Sequence, residues 1–426
     1  MTSSRRPSSV GPQSDDALLD LVQRQTLTYF WDFGHPASGM ARERSNPVRG
    51  YDYRDTVASG GTGFGVMALL AGAERGFLPR AAVLDRICRI VEFLGRAESH
   101  HGVFSHFLHG ATGATIPFSA KDDGGDLVET SFLMMGLLCV RQYFAGAAPK
   151  EASLREAVDR LWRAVEWDWH TRGGREILYW HWSPRHGWAM DHAITGWNEC
   201  LITYLLAAAS PSHPVAPAAY HHGWTDSPVF RNGRTYHGIA LPLGPPHGGP
   251  LFFSHYSFLG LDPRGLRDRY ADYWTQNVAH TLINRAHCIA NPHGHDGYGP
   301  RCWGLTACDG DAGYGAFCPE NDRGVIAPTA ALSAMPYAPR ESMAALRHFY
   351  EDLGGEIWGR HGFVDAFNRA QHWVADGNLA IDQAPIVVMI ENHRSGLLWE
   401  LFMSCREVRD GLRRLGFESP HLAAET

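Results

Sequence analysis

Two kinds of helix alternate along this chain, and that alternation limits its fold more than any other feature. One kind is apolar almost all round after a polar start, over residues 63–73, 126–144, 197–209 and 379–390. The other carries a charged face, over 80–98, 151–169 and 341–353; in the second of these Leu154, Val158, Leu161, Trp162 and Val165 keep helical spacing. A helix apolar all round must be covered on every side, whereas a striped one lies between core and water. Two concentric rings of antiparallel helices require that alternation, so the pattern predicts an all-α fold of the α/α-barrel type. A solenoid would need a fixed-period repeat, which is missing, and strand patterns are sparse.

A chain of 426 residues would ordinarily split into two or three domains, but a closed ring of helices absorbs such a length. The expectation is therefore a polar, mobile tail over 1–15 and a single domain over 16–426. Asp15 or Asp16 can cap a first helix on which Leu19, Val22, Tyr29, Phe30 and Phe33 recur at roughly helical spacing. Residues 34–61 read as loop and carry Arg42, Glu43, Arg44, Tyr51, Asp52 and Tyr53. Two long stretches rich in Gly, Pro, His and aromatics, 210–261 and 291–327, interrupt the helices. Loops of this length usually carry function, and these are read as walls of a substrate cleft.

The net charge of −7 gives no electrostatic reason for a nucleic-acid or anionic-membrane partner. No apolar run follows the two N-terminal arginines as a secretory leader would, and none is long enough to span a bilayer. The eight cysteines form no tight pairs, and Cys88, Cys139 and Cys200 sit inside apolar helical patterns. These features point to a reducing, cytoplasmic setting. Oligomeric state is not legible.

Acidic residues stand at the starts of three apolar helices: Asp126 with Glu129 in DDGGDLVETS, Glu199 in GWNEC and Asp382 in NLAIDQAP. Charges there are costly unless they meet partners or a wet cavity, and in an α/α barrel several inner-helix starts converge on one end. Acetal hydrolysis needs such a set: one protonated carboxyl for the leaving oxygen and one carboxylate to activate water or attack. For any single acid, N-capping or a structural ion pair is an equal alternative. Tyr179, Trp180, His181, Trp182 and Trp188 form an aromatic patch just before Glu199, suited to stacking on sugar rings or to core packing.

Other chemistries fit less well. Asp122, Asp123 and Asp126 spell DDxxD, but Gly124 and Gly125 break the run and no second metal motif follows. His287, Cys288, His293, His295, Cys302, Cys308 and Cys318 match no usual zinc spacing. No GxSxG or Walker-type loop occurs. Neither metal nor cofactor is expected.

Long strings shared across the chain, among them YFWDFGHPASGMARERSN, SGGTGFGVMALLAGAERGF, IPFSAKDDGGDLVETSFLMMGLL, LYWHWSP, CWGLTA and LAIDQAPIVVMIENHRSGLLW, resemble the glycoamylase-like family. That family includes the endo-β-1,2-glucanases of glycoside hydrolase family 144, and the resemblance runs from about Thr26 to Phe417. It implies an (α/α)6 barrel, no cofactor, and hydrolysis of β-1,2-glucan or its oligosaccharides. Glu199 resembles the acid and Asp382 the opposing base, with Asp126 and Glu129 as further pocket acids. Arg42, Arg44, Tyr179, Trp180, His181, Trp182, Trp197, Trp303, Trp373 and Gln383 are the expected substrate-binding residues. Relatives that attack polymer are commonly exported, so the lack of a leader raises imported oligosaccharides as substrate. Glu199 and Asp382 belong to inner helices far apart in sequence. That suits the wide carboxyl separation of an inverting enzyme, about 6.5–9.5 Å. The competing functions are retaining transglycosylation and glucan binding without turnover.

Overall fold

The computed structural model describes residues 14–47 and 52–423. Tyr51 and most of the expected tail lie outside the described residues. Residue 15, assigned to that tail, is already helical. The cap is Ser14, not Asp15 or Asp16, and its hydroxyl accepts the Ala17 N–H at 3.2 Å.

The α-helices in chain order are α1 (Asp15–Trp31), α2 (Ser59–Glu74), α3 (Arg80–Leu94), α4 (Leu127–Tyr143), α5 (Pro149–Ala164), α6 (Leu201–Ala209) and α7 (Tyr273–Ala290). They continue with α8 (Pro328–Ser333), α9 (Pro339–Arg347), α10 (Gly354–Ile357), α11 (Ala380–Arg394), α12 (Leu397–Met403) and α13 (Arg406–Arg414). Among the described residues, strands form short antiparallel pairs and one three-stranded patch joining Thr56–Ala58, Phe107–His109 and Thr115–Ile116.

Helices α2, α4, α6, α8 and α11 are buried along most or all of their length, as their apolar composition requires. They pack as an arc: α6 against α4, α4 against α2, α2 against α11, and α11 against α8. The striped helices lie outside it, with α3 on α2, α5 on α4, α13 on α6 and α9 on α8, while α1 packs on both α2 and α11. On α5 the buried stripe is Leu154, Val158 and Trp162, as the spacing predicts.

The main departure is at SGGTGFG. Expected as loop up to Gly61, these residues form the first turns of α2, although glycine costs about 1 kcal/mol per helix position relative to alanine. Close packing outweighs that cost. A Cβ on Gly61 would meet Ala380 of α11 at 2.8 Å, one on Gly63 the Phe132 carbonyl oxygen of α4 at 2.3 Å, and one on Gly65 the Phe30 ring of α1 at 2.6 Å. All three striped helices stop short of their expected ends, α9 giving way after Arg347 to a π-helical turn over His348–Asp352. Helix α3 ends at Gly95, and α5 ends where Val165 turns extended.

All eight cysteines are free thiols, most of them buried. No helix among the described residues is long and apolar enough to cross a membrane.

Candidate active site

A cavity of about 380 Å³ opens where the starts of α2, α4, α6 and α11 meet. Its lining includes Gly61 of α2, Glu129 in the first turn of α4, Glu199 in the turn before α6, and Ile381 of α11. The two long loop stretches also contribute walls, through Phe252 and Tyr256 from the first and Ala307 and Tyr314 from the second. Phe118 and Tyr314 are each 56% exposed although large and aromatic. Phe118 stacks on His106 at 4.3 Å between ring centres, and both line the cavity.

On one side of the cavity a charge network is built around Asp126. This residue caps α4: its Oδ1 accepts the N–H groups of Val128 (3.0 Å) and Glu129 (2.9 Å). Its Oδ2 accepts from His106 Nδ1 at 3.1 Å and lies 3.7 Å from His181 Nε2, which is also 3.2 Å from Asp122. The short pairing of Gly125–Asp126 with His181–Trp182 fixes this arrangement. Burial opposes ionisation of Asp126, but the His106 bond and the His181 charge outweigh it and hold its pKa below the ordinary carboxylate value. His106 is pushed up to about 9, because Glu129 and Asp126 outweigh the cost of its burial. Glu129 accepts the Gly60 N–H at 2.8 Å and lies 4.0 Å from His106 Nε2. Burial, reinforced by Asp126, pushes Glu129 up to about 7.

Glu199 is fixed through its backbone. The Ser257 hydroxyl donates to its carbonyl and accepts the Ile202 N–H at 3.0 Å, tying the turn to the start of α6. Its carboxyl keeps some surface in the cavity but is otherwise enclosed by protein. Burial, with Glu129 and Asp126 adding, raises its pKa to about 7.

A second acidic group lies towards α11. Asp382 is only 2% exposed and stands one layer behind the wall, where its Oδ1 accepts from the Tyr256 hydroxyl at 3.2 Å. Its Oδ2 and Asp365 Oδ1 have no conventional donor, and the two carboxyls bond to each other. Such a pair shares a proton and carries one negative charge. Burial first, then Asp365, pushes Asp382 well above its ordinary value, while burial and Asp309 raise Asp365 to about 7. Asp365 is held by the Asp309 N–H at 2.7 Å, and Asp309 pairs with Arg44 at 3.0 Å. Arg44 also binds Glu43 at 2.9 Å.

The structure brings Glu129, Glu199, Arg44 and Trp180 to the cavity. It moves others away. Asp126, expected among the catalytic acids, is 0% exposed and works behind His106. His181 serves Asp122 and Asp126. Trp182 packs on His101 and Trp169, while Tyr179, on the opposite side of the extended segment from Trp180, packs on Trp188 and Arg172. Trp197 and Trp303 are core residues at 2% and 0% exposure and present no face to a substrate. Trp373 packs against the small cluster of Phe317, Val325 and Ala366. Gln383 is 1% exposed and donates to the Phe363 carbonyl (2.9 Å), and Arg42 donates to the carbonyls of Arg54 and Phe33 (both 2.6 Å). Phe118, Tyr314, His106, Tyr256 and Asp365 were not read from the sequence. Tyr314 left a signal, since an aromatic flanked by glycines in DAGYGAF has no core to join. The others occupy loops without periodicity.

His106, Asp122 and Asp126 offer ligand atoms within 4.8 Å of one another, a spacing that could hold a cation. The ion pairs already described account for the same arrangement.

Exposed aromatic rings and two groups of buried acids thus meet at one cavity on a helical scaffold. The Glycoamylase family model, described as "Putative glucoamylase", matches residues 191–406. A solved structure from Bacteroides uniformis with the same description is 56% identical, covers 97% of this chain and 100% of its own, and superposes with a TM-score of 0.95. The endo-β-1,2-glucanase of Chitinophaga pinensis, solved with sophorotriose and glucose, is 52% identical over 96% of this chain and 100% of its own, with a TM-score of 0.94. An exo-β-1,2-glucooligosaccharide sophorohydrolase (non-reducing end) of Parabacteroides distasonis is 44% identical over 95% of this chain, which spans 58% of that relative's length. The chain belongs to the glycoamylase-like family.

Proposed function

We propose that this chain is a single (α/α)6-barrel glycoside hydrolase, spanning 16–426, that cleaves β-1,2-glucan or its oligosaccharides. The arc of five buried helices with striped helices outside it supports the barrel. The β-1,2-glucan specificity of the two named relatives supports the substrate. The observation that carries the reading is Glu199, an enclosed carboxyl with its pKa raised to about 7, on the same cavity as Tyr256, behind which Asp382 stands. Glu199 supplies the proton to the leaving oxygen, and Asp382 takes the proton from the attacking water. Asp126, ionised, holds His106 against Glu129 and so keeps the acid side fixed. Arg44 and Trp180 bind substrate, with Phe118 and Tyr314 as stacking surfaces on the cavity.

Incubation with linear β-1,2-glucan tests this. New reducing ends are expected, and proton NMR of fresh product should show the α-anomer first, since Glu199 and Asp382 come from inner helices separated by α4 and α2. A β-anomer appearing first would overturn inversion. Rings or lengthened chains would indicate transglycosylation, and binding without turnover would remove catalysis altogether.

Phe118→Ala and Tyr314→Ala are each expected to raise KM about three- to tenfold with a small change in kcat. That is the worth of one stacking contact of about 0.5–1.5 kcal/mol. Unchanged KM in both variants would move the sugar off these rings.

A further inference from the structure

Asp382 has no route of its own to a water in the cavity. It is 2% exposed and bonded to the Asp365 carboxyl, its Oδ2 is buried, and its Oδ1 is covered by the Tyr256 hydroxyl. Tyr256 lines the cavity, and its ring is fixed by edge contacts with Phe64 and Phe132 and a tilted contact with Phe252, at 5.0–5.8 Å between centres. We propose that Tyr256 is a catalytic residue whose hydroxyl relays the proton of the attacking water to Asp382, with Asp365 as a positioning residue that holds Asp382 ready to receive it. The proposal rests on the reading of Asp382 as the base.

The step balances as follows. A lone pair of the water oxygen bonds to the anomeric carbon, and the glycosidic C–O bond breaks. Its electron pair goes to the leaving oxygen, which takes the Glu199 proton. One water O–H breaks, its proton passing to Tyr256 Oη while the phenolic proton passes to Asp382 Oδ1. The tyrosine is never left as an anion, so its burial among aromatic rings does not oppose the transfer. As Oδ1 takes this proton, the one already shared with Asp365 passes over to Asp365, so the pair goes from one negative charge to none and Asp382 never holds two protons. The other charged groups around Asp382 are Asp309, which with Arg44 and Glu43 forms the ion-paired wall beyond Asp365, and Glu199 across Tyr256.

Tyr256→Phe keeps the ring contacts and removes only the hydroxyl. On linear β-1,2-glucan its kcat is expected to fall at least about thirtyfold with KM within twofold of the parent. The parent should show a bowed proton inventory in mixed H2O and D2O, from two protons moving in one step, and Tyr256→Phe a linear one. Asp382→Asn serves as the control. If Asp382→Asn keeps its turnover, the base assignment itself fails. If Asp382→Asn is inactive while Tyr256→Phe retains parental kcat and a bowed inventory, the relay alone is overturned. A Tyr256→Phe protein with unchanged melting temperature and the expected kcat loss supports it.

Discussion

Replacing Glu199 by glutamine is expected to lower kcat on β-1,2-glucan by about a hundredfold or more, with little change in KM. Glutamine keeps the shape of the side chain and the Ser257-anchored turn that carries it, but it cannot give up a proton. The loss should depend on the leaving group. A β-linked sophoroside of a nitrophenol leaves without protonation, so on that substrate the variant should regain most of the parental rate. The pH profile supplies a second check. With Glu199 raised to about 7 by burial, Glu129 and Asp126, and Glu129 raised to about 7 by burial and Asp126, the parent should lose kcat/KM as pH rises through that region and the acid gives up its proton. That limb belongs to the pair, and in Glu199→Gln it should be absent from the residual rate. Near-parental turnover on glucan in the variant would transfer the acid role to Glu129, which shares the same cavity.

The largest effect on folding is expected at a residue with no chemistry. Gly136→Ala adds one methyl group at the crossing of α4 and α2. Its Cβ would lie 2.1 Å from the Gly63 carbonyl oxygen and 2.9 Å from Val66. The obstacle is backbone of a buried helix, so relief requires α2 and α4 to separate, and α2 also packs on α11 and α1. A loss of about 3 kcal/mol or more is expected, a large share of a typical stability. It should appear as a drop of several degrees in melting temperature. Activity should fall with it, because the same α2 turn supplies the Gly60 N–H that holds Glu129. Gly355→Ala is the control, since nothing lies within 4 Å of a Cβ there. Equal melting temperatures for the two variants would show that the helices can part without cost.

Much of this was legible in the sequence, and the rest divides along a physical line. The alternation of buried and striped helices, the thiol chemistry and the acids at the starts of apolar helices all follow from local rules. Burial writes a period of 3.6 into neighbouring residues, and a charge at the head of an apolar run has to be met by something. Glu199 and Glu129 could therefore be named, together with the two loop stretches that wall the cavity. The substrate-facing side chains could not, because aromatic residues packed in a core and aromatic residues facing sugar share one composition. Trp197 and Trp303 went inside while Phe118 and Tyr314 stayed in the open. Helical glycines read as loop because their reason is a second helix pressed against them, not anything adjacent in the chain. The same holds for the chemistry of Asp382. Its partner Tyr256 is 126 positions away, and Arg44 meets Asp309 across 265. Sequence supplied the carboxyl groups. Which of them touch the cavity, which share a proton and which only hold a histidine in place was decided by contacts between segments that no local pattern links.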